Sequence, residues 1–377
     1  MLTSDEGVNR RLEASMTDNV TMPSAEELVG RLLEATVGAM DIFALYLGEQ
    51  LGYYRELHEG GPATSVELAA RTNTAERYAR EWLEQQATTG LLQVDDVSAG
   101  PLDRRYALPP EYETVLVDPL SELFVAPLGR FLAGAVGQAP ALLKAYRTGG
   151  GVSWSEFGDA ARTAQADFNR PFFTHSLVPG YLAQIPELHA ALQRRGARVA
   201  EIGCGGGWAS IAIAGAYPEC TVDGFDIDEP SIAMAISNRD GSGVEGRVQF
   251  HHRDAAQMAT AEGYDLVCAL ECIHDMPDPV SVLRTMRSLA KPGATVLVMD
   301  EKVGDAFGNV GDLIERLFYG FSLAVCLPDG LSHSPSVGTG TVMRTPTFEG
   351  YAKQAGFRSV EILPLEHDLF RFYRLTV

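Results

Sequence analysis

No stretch of this chain reaches the roughly eighteen consecutive apolar residues that a membrane-spanning helix needs. Residues 1–21 are polar and lack the apolar core of a signal peptide. Basic residues are scarce, 30 against 50 acids, for a net charge of −20. Such a surface repels nucleic acid and anionic membranes, so neither is expected as a partner. Cysteines are few and odd in number. Cys204, Cys220, Cys268, Cys272 and Cys326 lie in or beside apolar segments, and no C-x-x-C pair offers a zinc motif. Reduced, buried thiols and a cytoplasmic location are the expectation. Internal repeats and low-complexity tracts are missing too. What remains is 377 residues, 46% of them apolar, enough for two domains with cores of their own.

Residues 198–228 organise the chain. Arg198 to Ile202 reads as a short buried strand, and Gly203, Gly205 and Gly207 follow at every second position. The small-residue stretch 209–216 has helical spacing, and 221–226 is a second strand ending in Asp226. Strand, glycine turn, helix, strand and acid make half of a nucleotide-binding α/β unit. Without Cβ, the glycines allow unusual dihedrals and let a ligand touch the backbone. A dinucleotide turn would want glycine at 208, where Trp208 stands, and no Lys-Ser/Thr pair makes a phosphate-cradling loop. An adenosine ligand without phosphates fits better. Asp226 stands where an acid accepts bonds from ribose hydroxyls.

The flanking chain reads as four regions: an N-terminal arm over 1–24, a winged-helix-like dimerisation domain over 25–117, a helical connector and pocket wall over 118–196, and an α/β domain over 197–377. Ala25 to Tyr54 is apolar nearly all round, which implies cover by a second copy of the chain, a homodimer. Residues 64–96 read as helix, turn, helix, strand, with Thr64 or Ser65 and then Thr74 as caps and a return strand at 105–108. The presumed recognition helix 75–86 mixes acids with its arginines, which favours dimerisation over DNA binding. The aromatics Phe172 and Phe173 serve either as packing or as the wall of a substrate pocket. Strands are expected at 198–202, 221–226, 247–252, 264–270, 294–300, 358–363 and 369–375, with helices between them until a terminal hairpin.

Glu201-x-Gly203-Cys204-Gly205-x-Gly207, followed by Asp226-Ile227, resembles the first motifs of class I S-adenosylmethionine (SAM) methyltransferases, and the order of elements resembles their bacterial winged-helix group. The resemblance implies a Rossmann-like seven-stranded domain, SAM as cofactor, and a small-molecule acceptor methylated at a hydroxyl oxygen in natural-product metabolism. It also implies contacts for Asp254 and Ala255 with adenine, where Asp254 otherwise reads as a helix cap, and for Glu271 with the methionine part. His274-Asp275-Met276 falls where the family carries His-Asp-Trp. There the histidine is the general base, a role that suits its pKa; the other reading is a buried structural histidine. Met276 departs from the family's tryptophan. Asp300 or Glu301, at the next strand tip, orients His274 or binds substrate, or is a solvated strand end. Tyr319, and His333 in the turn-rich loop 332–344, are placed at the substrate. No metal is expected. A methyltransferase fold with non-methylating chemistry and a ligand-sensing regulator remain the alternatives.

Overall fold

A computed structural model describes residues 22–258, 263–308 and 310–377. The expected N-terminal arm lies, up to residue 21, outside the described residues. Contacts divide the chain into two compact units, 22–134 with Asp159–Pro171, and Ala135–Gly158 with Phe172–Val377. The connector expected over 118–196 is thus shared between both units. Gly158, at φ 75° and ψ −172°, interrupts the helical run Trp154–Pro171 where the chain passes from one to the other.

The smaller unit begins with the helix Ala25–Gln50, opened by a capping box of Ser24 and Glu27. It stops short of the expected Tyr54, because Gly52 at φ 71° turns the chain into a second helix, Tyr53–Glu59. Only Ala44, Leu45 and Gly48 of the long helix are buried; Val29, Leu32, Leu33, Val37, Met40 and Phe43 are exposed. Thr64 caps Ser65–Thr72 with Glu67, as its spacing predicts. The next helix, Glu76–Thr88, starts at Ala75 without a side-chain cap, so Thr74 does not hold the expected position. Its arginines are matched: Arg77 pairs with Glu81, and Arg80 lies 3.2 Å from Glu76. Trp82 and Leu83 face inward, the Trp82 indole N–H donating to the Ala44 carbonyl at 2.8 Å. The wing is small: β1 (Gln93–Val94) pairs antiparallel with β2 (Tyr106–Ala107).

The larger unit is built on seven strands: β3 (Arg198–Ile202), β4 (Thr221–Asp226), β5 (Val248–His252), β6 (Tyr264–Leu270), β7 (Ala290–Glu301), β8 (Ser359–Ile362) and β9 (Phe370–Thr376). Their order is β5-β4-β3-β6-β7-β9-β8; the first five are parallel, and β9 is antiparallel to both neighbours. This is the expected sheet with its terminal hairpin. Alternate side chains feed two cores. Val199, Leu266, Cys268 and Leu297 join one with the helix Trp208–Ala216 and Leu177. Ala200, Val267, Ala269 and Val298 join the other with Leu283 and Phe348. Each such fully buried large side chain contributes about 1.5–3 kcal/mol. Between β5 and β6 the expected helix is, among the described residues, only the short 3₁₀ turn Ala255–Gln257. All seven residues of β6 are buried, and the one acid among them, Asp265, is met by the Arg198 amide at 3.0 Å and by Lys291 Nζ at 2.8 Å.

Candidate active site

The carboxyl ends of β3, β4, β6 and β7 carry the site, as expected for an open parallel sheet. At the tip of β3 the three glycines all have positive φ, 69° at Gly203, 49° at Gly205 and 76° at Gly207. They differ in what a side chain would meet. A Cβ on Gly203 would stand 2.7 Å from Cys272 Sγ, and one on Gly207 2.9 Å from Ala235 Cβ. A Cβ on Gly205 would meet nothing within 4 Å. The outer glycines are required by the protein's own packing; the middle one faces open space.

Asp226 locks this turn. Its Oδ2 accepts the Gly205 N–H at 2.8 Å and its Oδ1 the Asp228 N–H at 2.9 Å. The remaining lone pairs stay at the β4 tip beside Ile227, which is 53% exposed. Burial raises the Asp226 carboxyl above its ordinary range, against the pull of those amide bonds. Glu201 lies beneath the turn, buried, and accepts the Ser210 hydroxyl; burial pushes it up to about 8, so it is protonated at neutral pH. Cys204 is buried beside it. Asp254 spends both oxygens locally, on the Ala256 amide at 2.8 Å and on Gln257 Nε2 at 2.6 Å. It caps the turn that holds buried Ala255.

The tip of β6 is where the backbone is strained. Glu271 has φ 57°, a left-handed conformation rare outside glycine, asparagine and aspartate. Cys272 follows, its thiol donating to the Ile202 carbonyl at 3.3 Å, which seats the β6 tip on the β3 tip. The short helical turn Ile273–Asp275 then presents His274, only 2% exposed. Its Nδ1 donates to Asp300 Oδ1 at 2.6 Å, and Glu301 Oε2 stands 2.9 Å from the same nitrogen. Nε2 lies 3.1 Å from Asp275 Oδ1. Burial alone would lower the histidine's pKa, but Asp275, Glu301 and Asp300 outweigh it and hold it well above the usual value. One ring proton cannot serve two carboxylates. Burial and the neighbouring Asp300 charge push Glu301 well up, whereas the imidazolium keeps Asp300 low despite its burial.

The expectation that Asp300 or Glu301 orients His274 therefore has its geometry, and a solvated acidic strand end does not describe either residue. The sequence offered no metal-ligand cluster, yet the fold converges two donor groups on His274: one with Asp300 and Glu301, the other with Asp275 and Cys326. The remaining expected residues fall elsewhere. Phe173 is buried in the sheet core, and Phe172 packs against Tyr181, His367 and Phe370 with ring centroids 5.2–5.6 Å apart. Tyr319 accepts from Arg344 at 3.2 Å, and His333 is exposed.

Sequence reasoning missed Cys326, Asp329 and Thr341. Cys326 closes a π-helical turn, Ser322–Cys326, and Asp329 sits in the next helix, Leu327–Ser332. Asp329 accepts the Trp154 amide at 2.8 Å; burial, then the Asp275 charge, pushes it up to about 7. The loop after this helix is draped on the histidine's own segment: the Gly340 amide donates to the His274 carbonyl at 3.1 Å and the Val337 amide to Pro277 at 3.0 Å. No local pattern in 322–341 advertises this. The one available signal was its composition, apolar and then rich in turn formers.

Residues 193–318 match the family model described as a methyltransferase domain, and residues 39–117 match the model of an Rv2258c-like winged HTH domain. The ubiquinone biosynthesis O-methyltransferase of Bordetella avium (strain 197N) is 38% identical over 124 residues, 32% of this chain and 49% of that protein. The protein of the same name from Aromatoleum aromaticum (strain DSM 19018 / LMG 30748 / EbN1) is 29% identical over 180 residues, 46% of this chain and 69% of that one. The chain thus spans about half the length of the first curated relatives it matches. Among solved structures, the mitomycin 7-O-methyltransferase MmcR aligns with a TM-score of 0.67 at 24% identity, over 98% of this chain and 99% of that one. PigF with SAH aligns at 0.70 and 18% identity, over 94% and 100%. Human N-acetylserotonin methyltransferase in complex with SAM aligns at 0.66 and 21%, over 94% and 99%. At these identities the likeness is one of fold.

Proposed function

From a chain that carries a methyltransferase domain joined to an Rv2258c-like winged HTH domain, we propose a SAM-dependent methyltransferase that methylates a hydroxyl oxygen of a small molecule. The observation that carries this reading is the contact of two strand tips. Cys272 ties the segment bearing His274 to the carbonyl of Ile202, directly before the glycine turn. A donor held over Gly205 and a base at His274 are thereby neighbours. The open space at Gly205, the fixed Asp226 carboxylate and the amides of the turn suit an adenosyl ligand. When bound, SAM supplies a methyl carbon already activated by its sulfonium.

The chain's own residues then have three tasks: to align the acceptor, to exclude water and to take a proton. His274 is proposed as base, accepting the acceptor's hydroxyl proton on Nε2. Asp300, and Glu301 beside it, hold the ring by Nδ1 and stabilise the imidazolium that forms. Because these acids favour the charged ring, the base is ready only at a pH above the usual histidine range. Glu271 and Asp254–Ala255 are proposed at the methionine and adenine ends of the cofactor. The test is turnover of a hydroxylated-aromatic panel with SAM, reading S-adenosylhomocysteine (SAH). SAM binding without SAH formation on any acceptor would favour non-methylating chemistry.

A homodimer through the N-terminal unit belongs to this proposal. The apolar face of Ala25–Gln50 around Leu32, Leu33, Val37 and Met40 is exposed in the single chain, and such a face needs cover. The helix Glu76–Thr88 pairs its arginines with its own acids, which supports self-association over nucleic-acid binding. Sedimentation should give a dimer at micromolar concentration and a monomer for Leu33→Glu; a monomeric parent protein would remove the idea. No described helix is long and apolar enough to cross a membrane. A cytoplasmic location is proposed on the five free cysteines.

A further inference from the structure

Three donor atoms of different chemistry converge at the tip of His274. A ring nitrogen of His274, a carboxylate oxygen of Asp275 and Sγ of Cys326 all lie within 4.8 Å of one another. They come from the β6 tip and from the π-helical turn Ser322–Cys326, so this is a tertiary cluster. The contacts around it fix which nitrogen is available. Nδ1 donates to Asp300 at 2.6 Å, which leaves Nε2, 3.1 Å from Asp275.

These donors lie against one another: Asp275 is 3.1 Å from Nε2, and the Cys326 thiol also interacts with His274 and Thr341. Asp275 Oδ1 is buried, and although it is near Nε2 it receives no well-directed hydrogen bond. Thr341, 1% exposed, has a buried hydroxyl whose neighbour is the Cys326 thiol and which makes no hydrogen bond of standard geometry. Buried polar atoms left in this state are rare, and an unseen ion is one of the ordinary reasons for them.

We propose that His274 Nε2, Asp275 and Cys326 form a binding site for a borderline-soft divalent cation, with Zn²⁺ as its natural match. The mixed nitrogen, oxygen and sulfur set suits zinc and disfavours Mg²⁺ and Ca²⁺, which take oxygen. Bond lengths of about 2.0–2.3 Å put the ligands of a tetrahedral zinc ion roughly 3–4 Å apart, so the observed spread closes with small side-chain shifts. Asp300 completes the pattern: a zinc-bound histidine ordinarily gives its other N–H to a carboxylate, which fixes the ring. With three protein ligands, a fourth position stays open. Binding releases the protons of the imidazolium and the thiol, and the ion takes the Nε2 lone pair. Zinc loading therefore silences the proposed base. That consequence, unlike the site itself, rests on the methyltransferase reading.

Cobalt(II) is the probe, because thiolate ligation gives a near-ultraviolet charge-transfer band and four-coordination gives intense visible bands. The full-length protein, reduced and stripped with chelator, should bind one Co²⁺ with both signatures, and Zn²⁺ should displace it. Cys326→Ser should lose the charge-transfer band and weaken zinc binding by at least about a hundredfold, whereas Asp300→Asn should weaken it about 10–100-fold. Cys272→Ser should keep the band. Circular dichroism and SAH calorimetry on each variant show whether it is folded. A parent protein without the cobalt bands, or a band that survives Cys326→Ser, overturns the site. Zinc binding that leaves turnover untouched overturns its effect on the base. Absence of SAH binding would strike the methyltransferase reading alone and leave the cobalt result standing.

Discussion

The tips of β3 and β6 touch through Cys272 and Ile202, yet they are built by opposite means. At β3 the site is contiguous: Gly203, Gly205, Gly207 and Asp226 lie within one strand-turn-helix-strand run and hold each other by backbone amides. At β6 the site is assembled at long range. His274 meets Asp300 and Glu301 from β7 and Cys326 from a separate helical turn. The first arrangement recognises shape with little side-chain chemistry. The second concentrates buried charge, and so shifts protonation.

The comparison predicts that the two tips fail differently. His274→Ala should lower turnover by roughly a hundredfold or more while SAH affinity is kept, because proton removal belongs to the transition state; steady-state kinetics beside calorimetry separate the two. Asp226→Ala should do the reverse, weakening SAH roughly 10–100-fold through lost charged hydrogen bonds of about 1.5–3 kcal/mol. Within the β3 turn, Gly205→Val should cut SAH affinity by at least about tenfold, some 1.4 kcal/mol, in a folded protein. Gly207→Ala should instead unfold at lower temperature, since its Cβ strikes Ala235 and the Phe250 ring. Equal behaviour of these two variants would erase the distinction between packing glycine and ligand glycine.

Two pH experiments sharpen the contrast further. The ascending limb of turnover against pH should lie above the usual histidine range, because the net effect of Asp275, Glu301 and Asp300 exceeds the burial that opposes it. Asp300→Asn should move that limb to lower pH; no movement would place the base elsewhere. Glu201 should report stability alone. Its carboxyl, raised by burial to about 8 in the folded protein, binds a proton that the unfolded chain releases above the ordinary value of 4.5. Folding stability therefore drains away as pH rises through that window. Glu201→Gln should lose part of that slope, keeping the share of Asp226, Glu301 and Asp329, and should gain on the parent protein at pH 8, as melting temperatures at pH 5 and pH 8 would show.

What could be read in advance follows the same division. The β3 turn, the seven strands and the terminal hairpin were legible because local periodicity and glycine spacing encode them. His274 and its candidate partners Asp300 and Glu301 were legible as positions at strand ends. Their mutual distances were not, since strand order brings β7 beside β6 and no spacing states it. Cys326 and Thr341 were invisible for that reason: a π-helical turn and a draped loop deliver them. The long helix Ala25–Gln50 was expected to need cover from a second copy of the chain; in the single chain its first half is exposed. Asp254 caps the turn Ala255–Gln257, as its type permits, and keeps lone pairs for the proposed adenine contact. Phe173 packs in the sheet core and Phe172 on neighbouring aromatics.

The turn at Gly203–Gly207 is proposed to hold the adenosyl part of SAM. Calorimetric titration of the full-length protein with SAH, run beside folded Gly205→Val, tests it most directly. One site per chain with micromolar or tighter affinity is expected, weakened at least about tenfold by the substitution. A folded parent protein that takes up no SAH, or binds it as well with valine at 205, would contradict it.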